Sequence, residues 1–152
     1  MVWPQLKSII QELMKEINFD VDVTIIDPMA SEEKERRNKF AQHYWEKRQR
    51  NGITLLAAQR LMRERNYFAA MMVNEGEADS LVTGYSRSYP ATVKPMIELI
   101  GKEEGVKKIA ATNIMITKKG PMFFSDTAIN INPTSEELAD ICYMTSESMK
   151  MF

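Results

Sequence analysis

The stretch Ser80-Leu81-Val82-Thr83-Gly84-Tyr85-Ser86-Arg87-Ser88-Tyr89-Pro90-Ala91-Thr92 decides how this chain is read, and it lies inside a longer segment from Asn74 to Ile100. Ser80 to Thr83 predicts a short apolar strand, Gly84 interrupts it, and Tyr85 to Ser88 make a hydroxyl-rich loop. Ser88, with Pro90 in the first turn, opens a helix that Gly101 stops and Pro95 kinks. A strand, a loop and a helix N-terminus turn several backbone N–H groups and the positive end of a helix dipole toward one spot. With Arg87 and the hydroxyls of Ser86, Ser88 and Thr92 beside it, that spot suits an anion, phosphate first of all. The same pattern also describes an ordinary α/β junction that binds nothing.

Ile109 to Thr117 reads as a second strand, Lys118-Lys119-Gly120 as a hairpin turn, and Met122 to Ala128 as the return strand. Strands joined so tightly run antiparallel, so the sheet expected for the whole chain is mixed. Asp126 offers two readings, a ligand for a bound group or an acceptor for backbone amides at the strand end. Asn132 serves at least to start a helix, and Pro133, Thr134 and Glu137 spell a capping box for a closing helix to about Phe152, with Leu138, Ile141, Cys142 and Met149 on its inner face.

Ahead of these segments, Leu6, Ile9, Ile10, Leu13, Met14 and Ile17 fall on one stripe of an amphipathic helix with Pro4 in its first turn. Val23 to Ile26 is a β-branched run that reads as a buried strand ended by Asp27-Pro28. Ser31 can cap a helix that passes Phe40, Tyr44 and Lys47 toward Asn51-Gly52. Its charges form a solvated face, or else Arg36, Arg37, Arg48 and Arg50 line an opening to an acidic ligand. His43 is the sole histidine and reads as a surface or partly packed imidazole with no second histidine to complete a metal set. Thr54 opens a further helix. Asn66 then caps Tyr67 to Val73, a helix apolar almost all round that calls for burial between sheet and helices or against another subunit.

With 152 residues, one α/β domain over 1–152 is expected, and a domain of that size can bury a sufficient core without staples. Twenty basic and 21 acidic residues give a net charge of −1, which argues against nucleic acid as a partner. The single cysteine, Cys142, cannot form an internal disulfide, and its helical neighbours Leu138 and Ile141 predict a buried, inert thiol in a reducing compartment. No apolar run approaches ~20 residues and no signal-peptide pattern opens the chain, so neither a membrane span nor export is expected, and the cytoplasm is the default. Twelve methionines fill core positions or form a pliable contact surface.

Several pieces resemble the phosphate acetyltransferase and phosphate butyryltransferase family: Glu77 to Gly84, Tyr89 to Pro95, and Gly120 to Ile141. Ile26-Asp27-Pro28 and Tyr67 to Val73 are similar, more narrowly, to the phosphotransacetylase-type domain of bacterial NADP-dependent malic enzymes. The shared order spans about Leu6 to Phe152. The resemblance implies a three-layer α/β sandwich with a mixed, mostly parallel sheet, of the isocitrate/isopropylmalate dehydrogenase-like phosphotransacetylase type. It also implies that the chain is a fragment of a longer polypeptide, corresponding to the middle, inserted subdomain, and that members dimerise through it.

In that family the active site lies in a cleft between two domains, and the catalytic serine, arginine and aspartate come from a segment after the end of this chain. The resemblance therefore implies no catalytic residue here but one wall of an acyl-CoA or phosphate site, built from Gly84, Ser86, Arg87, Ser88, Thr92, Asp126 and Asn130. Arg87 stands where the family often has histidine. The expected role is acetyl-CoA-responsive regulation and homodimerisation in a parent that oxidatively decarboxylates malate to pyruvate, with NADP and a divalent metal held elsewhere in the parent. No Gly-x-Gly-x-x-Gly fingerprint occurs, which excludes hydride transfer by this polypeptide alone. The alternative is part of an active enzyme that moves an acyl group between CoA and phosphate.

Overall fold

The computed structural model describes residues 4–151, which divide into two compact units, one up to Ile100 and one from Gly101. The first unit is helical: α1 (Pro4–Glu16), α2 (Lys34–Arg48) with a 3-10 turn at Gln49–Asn51, α3 (Leu55–Leu61), α4 (Arg65–Asn74) and α5 (Tyr89–Leu99). The second carries β1 (Thr112–Thr117), β2 (Gly120–Ser125) and α6 (Ser135–Met149). The α/β class expected from the sequence holds.

The first unit is organised by what α4 buries. Tyr67, Phe68, Ala70 and Met71 pack with Phe40, Ala41 and Tyr44 of α2, with Ala58 and Met62 at α3, and with Leu99 of α5. The Phe40 and Phe68 rings stand 5.2 Å apart at 56°, and Tyr44 meets Tyr67 edge-on at 5.8 Å, both favourable aromatic geometries. The all-apolar α4 is thus covered by helices of its own unit rather than by a sheet. Thr54 caps α3 as expected, accepting from Ala57 N at 3.2 Å. Gly52 closes the turn after α2 at φ 83°, the left-handed conformation glycine adopts freely.

Two local expectations are corrected here. The predicted Ser31 cap is displaced: α2 starts at Lys34 behind Glu33, which makes no side-chain cap bond, and Ser31 contributes only its carbonyl, to Lys34 N. Asn66 lies inside α4 rather than capping it, and its amide is used across the unit.

α1 forms where its stripe predicts, yet Ile9, Leu13 and Ile17 are exposed. A helix-period pattern specifies which face can be buried, and it takes a neighbour to bury it.

The second unit is a hairpin with a helix. β1 pairs antiparallel with β2 from Thr112 opposite Ser125 to Thr117 opposite Gly120, across the loop Lys118-Lys119. The return strand stops at Ser125 because Asp126 takes φ 52°. The capping box of α6 is complete: Thr134 Oγ1 accepts from Glu137 N and Glu137 Oε2 accepts from Thr134 N.

Two further expectations fail. The segments Val23–Ile26 and Ser80–Thr83 are not strands, and among the described residues β1 and β2 form a two-stranded sheet alone. A ladder needs a second extended backbone to exchange hydrogen bonds, and neither segment has one here, so Val23 and Val82 stay exposed. Cys142 is exposed, not buried. The covered face of α6 runs through Ile141, Met144, Thr145 and Ser148, and Leu138, Cys142 and Met149 lie roughly 60–100° around the helix from Ile141.

Candidate functional site

The loop singled out by sequence, Gly84 to Ser88, enters α5 with Gly84 at φ 121° and all of its residues exposed. A methyl group at Gly84 would meet Thr92 Cγ2 at 3.8 Å, ordinary contact, so backbone conformation rather than space asks for glycine there. Ser88 stands at the N-cap of α5 without a side-chain cap bond. Its carbonyl accepts from Thr92 N at 3.1 Å and from Thr92 Oγ1 at 3.2 Å. The first amides of α5 are therefore left without a capping side chain, an arrangement open to an anion.

Arg87 does not stand free over that helix end. Its Nη2 donates to Glu64 Oε2 at 3.2 Å, with both side chains about half exposed. An exposed pair of this kind is worth at most about 1 kcal/mol, so a phosphate could displace Glu64 at little cost.

The loop is stitched to α4 by Asn66. Its Oδ1 accepts from Thr83 Oγ1 at 3.0 Å, and its Nδ2 donates to Ala91 O at 3.4 Å. Ala91 O is the carbonyl that loses its helical partner because Pro95, four residues on, has no N–H. Asn66 satisfies that carbonyl, which explains how buried Pro95 is accommodated inside α5.

In the second unit, Asp126 and Asn130 are brought together. The Asp126 carboxylate accepts from Ile129 N at 3.3 Å and from Asn130 N at 3.2 Å. Asn130 Nδ2 donates to Ile109 O at 3.0 Å. Of the two readings open for Asp126, the backbone acceptor is the one its contacts describe: it closes a turn after β2. The sequence-predicted residues thus fall into two groups, one in each unit.

Sequence reasoning missed a third group. Glu98, inside apolar α5, accepts from Tyr67 OH at 2.7 Å and from Tyr44 OH at 3.0 Å. Lys94 Nζ and Arg48 Nη2 approach its other oxygen at 3.9 and 3.8 Å. Burial, then the bond to Glu98, pushes Tyr44 up to about 12 and Tyr67 higher still. The available signal was a carboxylate flanked by Ile97 and Leu99 in the last turn of α5. Arg48 Nε is buried without a partner among the described residues, and Arg36 stacks at 5.4 Å over the Phe68 ring while bonding Glu77. These arginines brace helices more than they line one opening.

His43 Nδ1 lies 2.9 Å from Glu75 Oε2 on the helix surface, which holds the Glu75 carboxyl below its usual range. Among the described residues no cluster of His, Cys, Asp and Glu could hold a metal ion, and no helix is long and apolar enough to cross a membrane.

Known proteins are similar to this chain over most of its length. An NADP-dependent malic enzyme of Haemophilus influenzae is 35% identical over 151 residues, covering 96% of this chain and 20% of that enzyme. A phosphate acetyltransferase of Bacillus subtilis is 37% identical over 144 residues, covering 94% of this chain and 43% of that enzyme. Among solved structures, the EutD phosphotransacetylase from Staphylococcus aureus superimposes with a TM-score of 0.68 at 33% identity, over 89% of this chain and 40% of its own. The chain therefore spans well under half the length of these relatives. The profile of phosphate acetyl/butaryl transferases matches residues 6–152, and on that near-complete match the chain belongs to this family.

Proposed function

We propose that this chain is a non-catalytic portion of a phosphotransacetylase-like domain in an NADP-dependent malic enzyme, where it contributes to acetyl-CoA-responsive regulation and to dimerisation. The observation that carries this reading is the engagement of the polar groups at the predicted site. Arg87 is paired with Glu64, and the Asp126 carboxylate is committed to the amides of Ile129 and Asn130. With Arg87 so paired, the first unit can offer helix-end amides and the hydroxyls of Ser86, Ser88 and Thr92 to a phosphate, with Gly84 shaping the approach. It supplies no base poised to activate a thiol.

The acyl-CoA or phosphate ligand, the NADP and divalent metal of the parent, and a cytoplasmic setting belong to this proposal. So does the finer architecture. In a longer polypeptide the unpaired segments 23–26 and 80–83 become strands of a mixed, mostly parallel sheet in a three-layer sandwich, and this chain forms one α/β domain of it. Exposed Ile9 and Leu13 of α1, Ile17 just after it, and Met115, Met122 and Phe124 of the hairpin are apolar surface suited to such partners or to a two-fold dimer contact.

The likeness to the Bacillus subtilis enzyme favours a second reading, in which the parent is an active phosphate acyltransferase. Two assays separate them. Calorimetric titration of acetyl-CoA into this chain and into the intact parent is expected to show binding by the parent and little by the chain. Malate oxidation by the parent should respond to acetyl-CoA, while acyl transfer to phosphate or arsenate stays silent. Turnover in the acyl-transfer assay would establish the second reading, and malate oxidation insensitive to acetyl-CoA would remove the first.

A further inference from the structure

The first unit holds a cationic cleft that the site just described does not use. It lies where α2 packs against α3, has a volume of about 540 Å³, and is lined by Ser31, Lys34, Arg37, Asn38, Gln59 and Arg63. Three cations and three neutral hydrogen-bonding side chains face it, and no carboxylate does. Of the acids next in sequence, Glu33 pairs with Arg36 at 3.3 Å and Glu64 with Arg87 at 3.2 Å, while Glu32 and Glu35 are exposed and do not line the cleft.

Within the cleft the three cations are held differently. Arg37 is half-buried and pinned, its Nη1 donating to Pro28 O and Ala30 O at 2.6 Å each, which leaves Nη2 and Nε for another acceptor. Among the described residues Lys34 and Arg63 form neither an ion pair nor a side-chain hydrogen bond. The N-terminus of α2 adds the positive end of its dipole beside Lys34, offset in part by Glu35 in the first turn. Like charges gathered without counter-charge repel one another, and a multiply charged anion removes that repulsion while gaining charge-assisted bonds.

From this geometry we infer that the cleft binds the phosphoryl groups of a small phosphorylated molecule at a site separate from the Gly84–Thr92 loop. Arg37 is the fixed anchor, and Lys34 and Arg63 close on the anion from either rim. Ser31, Asn38 and Gln59 supply neutral hydrogen bonds. Because no atom of Arg87 takes part, the inference stands or falls independently of the regulatory reading above.

Inorganic pyrophosphate titrated calorimetrically into the 152-residue chain at low ionic strength tests it. Binding is expected, weakening as salt is added. Lys34→Gln and Arg63→Gln should each raise Kd about tenfold or more, and Lys118→Gln in the exposed hairpin loop should leave it unchanged. Both cleft variants change exposed side chains, and circular dichroism confirms that they fold. A nucleoside diphosphate titrated alongside separates two sources of the same group. Equal affinities point to an inorganic or simple phosphate ester, and an affinity at least about tenfold tighter, lost in the same two variants, points to a nucleotide. Absence of pyrophosphate binding up to about 10 mM, or binding that only Arg87→Ala abolishes, would overturn the inference.

Discussion

Glu98 carries more of this molecule than its place in the sequence suggests. Two buried tyrosines donate to one carboxylate oxygen, and their own burial keeps both phenols protonated well above the usual range near 10. Removing the acceptor leaves hydroxyls in the core without partners, so Glu98→Ala should cost about 2–4 kcal/mol in urea unfolding. The pH dependence follows from the raised values. The folded state holds the phenolic protons more tightly than the unfolded chain, so this contribution is fully present below pH ~10 and is lost as pH rises toward about 12 through the folded value of Tyr44. Urea midpoints measured from pH 9 to about 11.5 should fall steadily, and a flat profile would show that the tyrosines titrate freely. His43 is the contrasting case. Its part-buried bond to Glu75 depresses that carboxyl and so adds stability that is present above the usual carboxylate range and lost as pH falls through it.

Helix ends show how far short-range signals reach. The Thr134 and Glu137 pair was legible from three residues of spacing because both partners of the capping box lie within one helical turn. Thr134→Ala should therefore weaken α6 by about 1 kcal/mol, read as a lower thermal midpoint of the second unit by circular dichroism, and Thr134→Ser should restore most of it. Ser31 and Asn66 carried the same kind of signal and are used otherwise. Asn66 lies inside α4, where its amide serves two partners at once, donating to the carbonyl freed by Pro95 and accepting from the hydroxyl of Thr83. Cys142 shows the same limit for helix faces. A stripe shared by Leu138, Ile141 and Cys142 admits two inner faces, and packing selected the one that turns the thiol to solvent.

Across the molecule the core is unevenly distributed. The buried cluster from Phe40 to Leu99 belongs to the first unit, and in the second Ile141 is the buried hydrophobic residue among those described. Each fully buried large side chain contributes about 1.5–3 kcal/mol, so the first unit should open far less often than the second. Native-state hydrogen exchange is expected to protect amides of α2 and α4 by at least about two orders of magnitude more than those of β1 and β2. Equal protection in the two units would mean that the hairpin faces, where Met115, Met122 and Phe124 are exposed, are covered in solution by a second copy.

The amino-acid sequence by itself determined the places of the helices, the hairpin at Lys118-Lys119 and the capping of α3 and α6, because each rests on contacts within a few residues along the chain. It also carried the family through the order of its motifs, and it located the loop from Gly84 to Thr92. Tertiary structure alone decided which side chains meet. Tyr44 and Tyr67 reach Glu98 across 54 and 31 residues, and Arg87 reaches Glu64 across 23. No periodicity encodes such pairings, since they depend on how helices pack. For the same reason the β-branched runs at 23–26 and 80–83 could be recognised as able to form strands, but a strand exists only where a second backbone completes its hydrogen bonds.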